Sequence, residues 1–264
     1  MFHTLKYMTM AVLRKRLKNS EMRKLILVMI VLICFGDLSS QDRVNRDSLK
    51  MSYGSSGYFF KYKGTRFTGI IYRKHVNGQL LKEFYCKDGL YNGSYKEWYE
   101  NGQLQEEGNY KDGKQDGLWS SWYENGQLID KINFKDGEKD GLVERWYYDG
   151  QLQFKDYYKD GLRDGLIKSW YENGKLKKEI YIKEGKYDGT YKHWYENGQL
   201  KNEINYKEGK KDGIYRWWYD NGQLNSERIY KEDKLNGLKK EWDYKGNLVI
   251  ESIWKNGVFQ QIIK

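Results

Sequence analysis

The chain has 264 residues, of which 39% are hydrophobic and 17% aromatic, with 25 tyrosines, 10 tryptophans, 28 glycines and no proline. Tyr and Trp bury a ring and keep a polar handle near water, which suits a thin sheet better than a thick aliphatic core; the missing proline argues against a loop-rich disordered chain and leaves the turning to glycine. The net charge of +10 arises from 47 basic and 37 acidic residues mixed along the chain, which reads as a solvated mixed-charge surface and counts against nucleic acid as a partner.

The first element is an apolar run over residues 25–35, preceded by Arg23 and Lys24 and followed by Ser39 and Ser40. It is shorter than the about 20 residues of a membrane span. A basic start, a short apolar stretch and small residues at its end spell a secretory signal over residues 1–40. Export to a periplasmic, envelope-associated or secreted location is therefore expected, with a single uncleaved membrane anchor as the alternative. Met22 stands just before the basic pair and is a second candidate start. Cys34 lies in the apolar run after Ile33, which is not the small residue that a lipid-anchor signal wants. Cleavage near Ser40 leaves Cys86 as the one cysteine, so the fold is expected to use no disulfide. Residues 41–57, with Gly54-Ser55-Ser56-Gly57, read as a linker.

From residue 58 to 264 the sequence repeats itself. One glycine series falls at Gly78, Gly102, Gly126, Gly150, Gly174, Gly198, Gly222 and Gly246, always 24 residues apart. A second runs through Gly69, Gly93, Gly117, Gly141, Gly165, Gly189, Gly213 and Gly237, and a lysine series through Lys87, Lys111, Lys135, Lys159, Lys183, Lys207, Lys231 and Lys255. Tryptophans keep step at Trp98, Trp122, Trp146, Trp170, Trp194, Trp218 and Trp242. About eight repeats follow one another without an insertion.

Within residues 189–212, two segments rich in β-formers cover 190–195 and 199–206. Asn197-Gly198 lies between them and predicts a tight type I′ turn. The second link, around Glu208-Gly209-Lys210-Lys211-Asp212-Gly213, reads as longer and looser. The expected fold is all-β: an elongated single-layer antiparallel sheet of tandem 24-residue hairpins, an open and twisted meander, although one rung of a solenoid per repeat also fits 24 residues. A lone hairpin is marginal, and stacking lets neighbours cover each other. About sixteen strands would extend roughly 75–80 Å. Leu80, Leu104, Leu128, Leu152, Leu176, Leu200, Leu224 and Leu248 can interleave with the tryptophans if both fall on one face. The ends depart from the pattern as caps do: Lys74 replaces Trp, Asp233 replaces a turn glycine, and Val258, Phe259, Ile262 and Ile263 close the chain.

The unit residues 110–117, Tyr-Lys-Asp-Gly-Lys-Gln-Asp-Gly, followed by Trp122-Tyr123-Glu124-Asn125-Gly126-Gln127-Leu128, resembles the MORN-repeat variant found in bacterial proteins of the YwqK antitoxin type. The likeness covers about residues 58–260. It implies an elongated sheet of hairpins that contacts proteins or membrane lipids, and an antitoxin role implies neutralising a partner by binding it. An export signal departs from a cytoplasmic antitoxin and favours an immunity-type role outside the cytoplasm. The Trp-Tyr pairs near Asn-Gly turns are also similar, more distantly, to choline-binding repeats, whose aromatic cages hold a quaternary ammonium.

A search for convergent chemistry finds none, and the chain is expected not to be an enzyme. His75 and His193 lie about five repeats apart and read as surface residues; His3 falls in the leader. Glu83, Glu107, Glu179, Glu203, Glu227 and Glu251 share one phase, filled by Lys131 and Lys155 in two repeats, and read as a solvated ladder partnered by the lysine series from Lys87. Asp112-Gly113 and Asp136-Gly137 sit where turns want them and lack calcium-loop spacing. No metal set and no cofactor loop is present. The candidate binding stripe is aromatic: Trp98, Trp122, Trp146, Trp170, Trp194, Trp218 and Trp242, with Tyr99, Tyr123, Tyr147, Tyr171, Tyr195 and Tyr219. It points to a protein partner, or alternatively to glycan or lipid headgroups of the cell envelope.

Overall fold

The structure, a computed structural model, describes residues 42–54 and 57–264. The expected leader and its export reading lie outside the described residues. One compact unit spans Val44–Lys264. Among the described residues no helix is long and apolar enough to cross a membrane.

Each repeat supplies one strand that ends on the tryptophan phase and one that starts on the leucine phase. Leu90–Trp98 and Leu104–Lys111 are such a pair, as are Gly189–Trp194 and Leu200–Lys207. Along the array each long strand pairs antiparallel with the next long strand in sequence. The result is one open sheet of 21 strands among the described residues, with short pieces such as Lys114–Gln115 counted separately. Twenty-four residues thus make two strands of one layer, not a solenoid rung. The register puts each tryptophan opposite a leucine, Trp122 against Leu128 and Trp194 against Leu200, so the two series do share a face.

The turns exchange the roles expected of them. Lys87 pairs with Leu90, leaving only Asp88 and Gly89 between strands. Their φ angles are 49° and 83°, both left-handed as a type I′ turn requires. The two-residue turn recurs at Asp112-Gly113, Glu184-Gly185 and Glu208-Gly209, so the link expected to be loose is the tight one. The apparent length of that link comes from a bulge: Ile204 pairs with Tyr215 and Tyr206 with Lys211, which leaves Asp212, Gly213 and Ile214 opposite Asn205 alone. At the Asn-Gly end, only the glycine is left-handed, with Gly102 at φ 84°. The Gly102 amide donates to the Tyr99 carbonyl at 2.9 Å, and the Tyr99 amide to the Gln103 carbonyl at 2.9 Å. This is the three-residue loop, an ordinary turn followed by a left-handed glycine. Asn101 serves there as a turn acceptor, taking the Gln103 amide on Oδ1 at 2.9 Å.

Residues 42–54, expected to be a linker, are structured. They hold a 3-10 turn, Arg46–Ser48, and the strand Lys50–Gly54, which joins Gly57–Tyr62 and Thr65–Arg66 in a separate three-stranded sheet. Leu49, Phe60 and Phe67 are buried against Ile71, Phe84, Cys86, Tyr95 and Trp119 of the first repeats. Backbone bonds seat this cap: the Phe60 amide donates to the Gly89 carbonyl at 2.8 Å and the Gly89 amide to the Phe67 carbonyl at 2.7 Å. A side chain at residue 89 would meet the Phe60 carbonyl oxygen at 2.9 Å, so this turn needs glycine for space as well as for φ. Cys86 is fully buried beneath the cap, and burial pushes its thiol up to about 11.

The antiparallel register determines which residues share a face. One central row runs Ile71, Phe84, Tyr95, Gly108, Trp119, Ile132, Val143, Asp156, Ile167, Ile180, Tyr191, Ile204, Tyr215 and Arg228. The main core occupies its first third, under the cap. A smaller one forms around Ile167, Ile180 and Ile182, with Phe154 and Tyr191 against it. Among the described residues no second layer covers the row from Val143 onward.

Candidate functional site

The two faces of the sheet are chemically different. The face opposite the central row carries a charge ladder: Lys96, Glu107, Ser120, Lys131, Glu144, Lys155, Lys168, Glu179, Lys192, Glu203, Arg216, Glu227, Lys240 and Glu251 stand opposite one another in turn. Lys168 reaches Glu179 at 2.8 Å, Arg216 reaches Glu227 at 2.7 Å and Lys240 reaches Glu251 at 3.1 Å. These cations, rather than the series from Lys87, partner the glutamates. Where Lys131 and Lys155 interrupt the glutamate phase, Glu144 stands between them in the cation's place and binds Lys155 at 3.0 Å. Each partly exposed pair contributes on the order of 0–1 kcal/mol, but a slipped register would break these pairs together.

The aromatic stripe lies at the Asn-Gly end of the strands, and all thirteen of its residues are half-buried. Its tyrosine hydroxyls are engaged within the sheet. Tyr99 donates to the Trp122 carbonyl at 2.7 Å, Tyr147 to that of Trp170 at 2.8 Å and Tyr171 to that of Trp194 at 2.7 Å. Tyr123, Tyr195 and Tyr219 do the same to Trp146, Trp218 and Trp242. The turn asparagines repeat the stitch, Asn101 donating to the Glu124 carbonyl at 3.2 Å and Asn197 to that of Asp220 at 2.8 Å. His75 occupies the tyrosine phase, and its Nε2 lies 2.9 Å from the Trp98 carbonyl. One ring thus fastens each repeat to the next, joined by one amide wherever the turn holds asparagine; Asp149 takes that place in one repeat.

A chain built of such self-fastening hairpins has a known relative. The profile of the MORN repeat variant matches residues 91–112, 115–136, 139–160, 163–184, 187–208 and 211–232, half of the chain. The protein belongs to the MORN repeat variant family. A comparison with curated proteins gives no match. The MORN match begins at Tyr91, so the capped first hairpin and the last one lie beyond the matched segments.

The central-row face of the MORN array is the less regular one in charge and shape. The row is interrupted at Asp156, which is fully buried where its neighbours in phase are Ile132 and Ile180. Arg163 Nε donates to Asp156 Oδ2 at 2.7 Å and to the Tyr158 hydroxyl at 3.2 Å, and the Tyr157 amide donates to Asp156 Oδ1 at 2.8 Å. A cavity of about 440 Å³ opens beside this pair, and five cations line it with no carboxylate among the lining residues. The sequence reading missed this site, because Asp156 stands out only once the 24-residue phase is compared along the row. Among the described residues no group of three or more His, Cys, Asp or Glu side chains could hold a metal.

His193, expected at the surface, is half-buried on this face beside Tyr191. Burial, helped by Lys178, Lys201 and Lys177, pushes its pKa down to about 4. A histidine whose folded pKa lies below its unfolded value of about 6.5 contributes its full stability above pH 6.5 and loses it as pH falls toward 4. Wild-type protein is therefore expected to lose stability over that interval faster than His193→Ser, which copies Ser121 and Ser169 of the same phase. The extra slope is bounded by one proton, at most about 1.4 kcal/mol per pH unit. Urea denaturation of both proteins at pH 7, 5.5 and 4.5 checks it; parallel curves would show that His193 carries no such burden.

Proposed function

We propose that this MORN protein is a non-enzymatic binding module that captures a protein partner on the central-row face, in an antitoxin-like or immunity-like role. The observation that carries the reading is the uncovered half of that face. From Val143 onward the row has no second layer, and Trp217 and Tyr187 stand 37% and 42% exposed on it. Half-exposed aromatics on a hydrogen-bonded sheet supply contact area with little ordering to be lost on binding. The opposite face, saturated by its own ion pairs, offers less. Export by the residue 25–35 run would place the partner in the envelope or outside the cell.

The test is affinity capture with the tagged full chain from the cells that make it, in parallel with Trp217→Ser/Tyr187→Ser. Both changes sit on the open face and leave the stitches intact. One stoichiometric protein held by wild type and lost by the variant supports the reading. Equal capture by both, or retention of envelope glycan or lipid in place of protein, overturns it and favours headgroup recognition.

A further inference from the structure

We infer that the cavity beside Asp156 is a carboxylate-binding groove for an acidic peptide segment that carries an apolar side chain. The inference rests on the protein-binding reading and specifies the partner's chemistry. The cavity, about 440 Å³, is of the size that takes a few residues or a small ligand. Its cations are Lys139, Arg145, Arg163, Lys177 and Lys178. Both guanidinium forks already hold carboxylates of this chain. Arg145 grips Asp130 through two bonds of 2.7 and 3.1 Å, and Arg163 grips Asp156 at 2.7 Å. The three lysines make no ion pair among the described residues; Lys139 instead lies 5.1 Å from the Tyr158 ring centre and Lys177 5.1 Å from that of Tyr171.

This division of labour selects the ligand. Arginine forks take carboxylate and phosphate alike; here Arg145 spends its fork on Asp130 and Arg163 its Nε on Asp156, which leaves the lysines to meet a ligand. Lysine ammoniums are mobile point charges that accept carboxylates over a range of angles, as a flexible acidic chain presents them. Val143 and Phe154 lie between the cations and form an apolar floor. The groove exists because the central row, filled by Trp119 earlier and Tyr191 later, holds only Val143 and Asp156 here. The strip of positive charge continues to Lys201, which together with Lys177 and Lys178 depresses His193.

The experiment titrates the full chain with an end-blocked Glu-Glu-Leu-Glu-Glu peptide and reads tryptophan fluorescence and calorimetry. The controls are the Lys-Lys-Leu-Lys-Lys peptide, inorganic phosphate, and vesicles with 30% phosphatidylglycerol. Saturable binding of the acidic peptide alone is expected, weakened by salt and at least tenfold weaker in Lys139→Glu/Lys178→Glu. Lys139→Gln/Lys178→Gln, which adds no repulsion, should show a smaller loss in the same direction, with circular dichroism unchanged. Equal affinity of wild type and both variants overturns the assignment, as does binding of phosphate or vesicles in place of the peptide. If the groove variants still capture the partner that Trp217→Ser/Tyr187→Ser loses, the groove fails while the protein-binding reading stands.

Discussion

Replacing Trp119 with alanine is expected to remove about 3–5 kcal/mol of stability, the range for a large buried aromatic. Trp119 is 4% exposed, and its ring centre lies 5.2 Å from that of Tyr95 and 5.1 Å from that of Tyr110. Its indole Nε1 donates to the Asn109 carbonyl at 3.1 Å, but that carbonyl also accepts the Asp116 amide at 2.9 Å, so truncation orphans no acceptor and its cost is one of packing. The ring has room because the neighbouring row position is Gly108. That glycine has no left-handed φ to justify it, yet a Cβ there would fall inside the Trp119 indole. Gly108→Ala should therefore cost about 1–3 kcal/mol by overpacking, although alanine is otherwise the better strand residue. Gly108→Ile/Trp119→Ile gives the two positions the residues that their phases hold at Ile180 and Ile167 and should recover more than 1 kcal/mol relative to the sum of the single changes. Denaturant unfolding followed by circular dichroism measures all of these. A Gly108→Ala cost that persists undiminished in Trp119→Ile protein would show that the ring is not what the glycine accommodates.

The same pair shows what could be read from the chain and what could not. The 24-residue period and the all-β class follow from residues in register with themselves, whereas the facing of tryptophan and leucine, conditional in the sequence, needed the strand register that sets Trp122 opposite Leu128. The turns were harder, because Asn-Gly and Asp-Gly both satisfy the residue preferences of a type I′ turn. Only strand pairing separates them: Lys87 opposite Leu90 leaves two residues, Tyr99 opposite Gln103 leaves three. The bulge at Gly213 then explains why the tight turn looks long in sequence. The cap was not legible, since Leu49 has no partner in phase and its burial depends on the folding back of residues 44–67 onto Phe84 and Trp119. The groove lay in between. Asp156, against Ile132 and Ile180 at the same phase, was a visible anomaly, but its meaning needed the row, and the row needed the register. The period located the stripe tyrosines but gave no sign that their hydroxyls stitch repeats together.

Removing the guanidinium of Arg163 is the second large effect expected. Asp156 is fully buried, its Oδ1 satisfied by one backbone amide and its Oδ2 by Arg163. Arg163→Met leaves a buried carboxylate with half its hydrogen bonding gone. Breaking a buried pair in this way costs about 3–5 kcal/mol, and because the arginine side chain is 48% exposed we expect less than that, about 2–3 kcal/mol. The pair is not needed for stability as such. Asp156→Ile/Arg163→Met restores the aliphatic row between Val143 and Ile167 and should be as stable as wild type or more so, as apolar replacement of buried ion pairs often is. The contrast between the single and the double variant, read as urea midpoints, is the check. If the double variant remains as unstable as Arg163→Met alone, the loss lies in the packing of the arginine stem against Phe154 and Tyr158, over whose rings the guanidinium sits at 6.0 and 5.9 Å. A stable double variant carries a functional consequence as well. It keeps Lys139, Lys177 and Lys178 while filling the gap in the row from below, so an acidic peptide should still be attracted but find less depth for its apolar side chain. The buried ion pair is then best understood as what holds the groove open: a fold that could have placed isoleucine at residue 156, as it does one repeat earlier and one later, instead keeps a charged pair that is costly to bury and leaves space beside it.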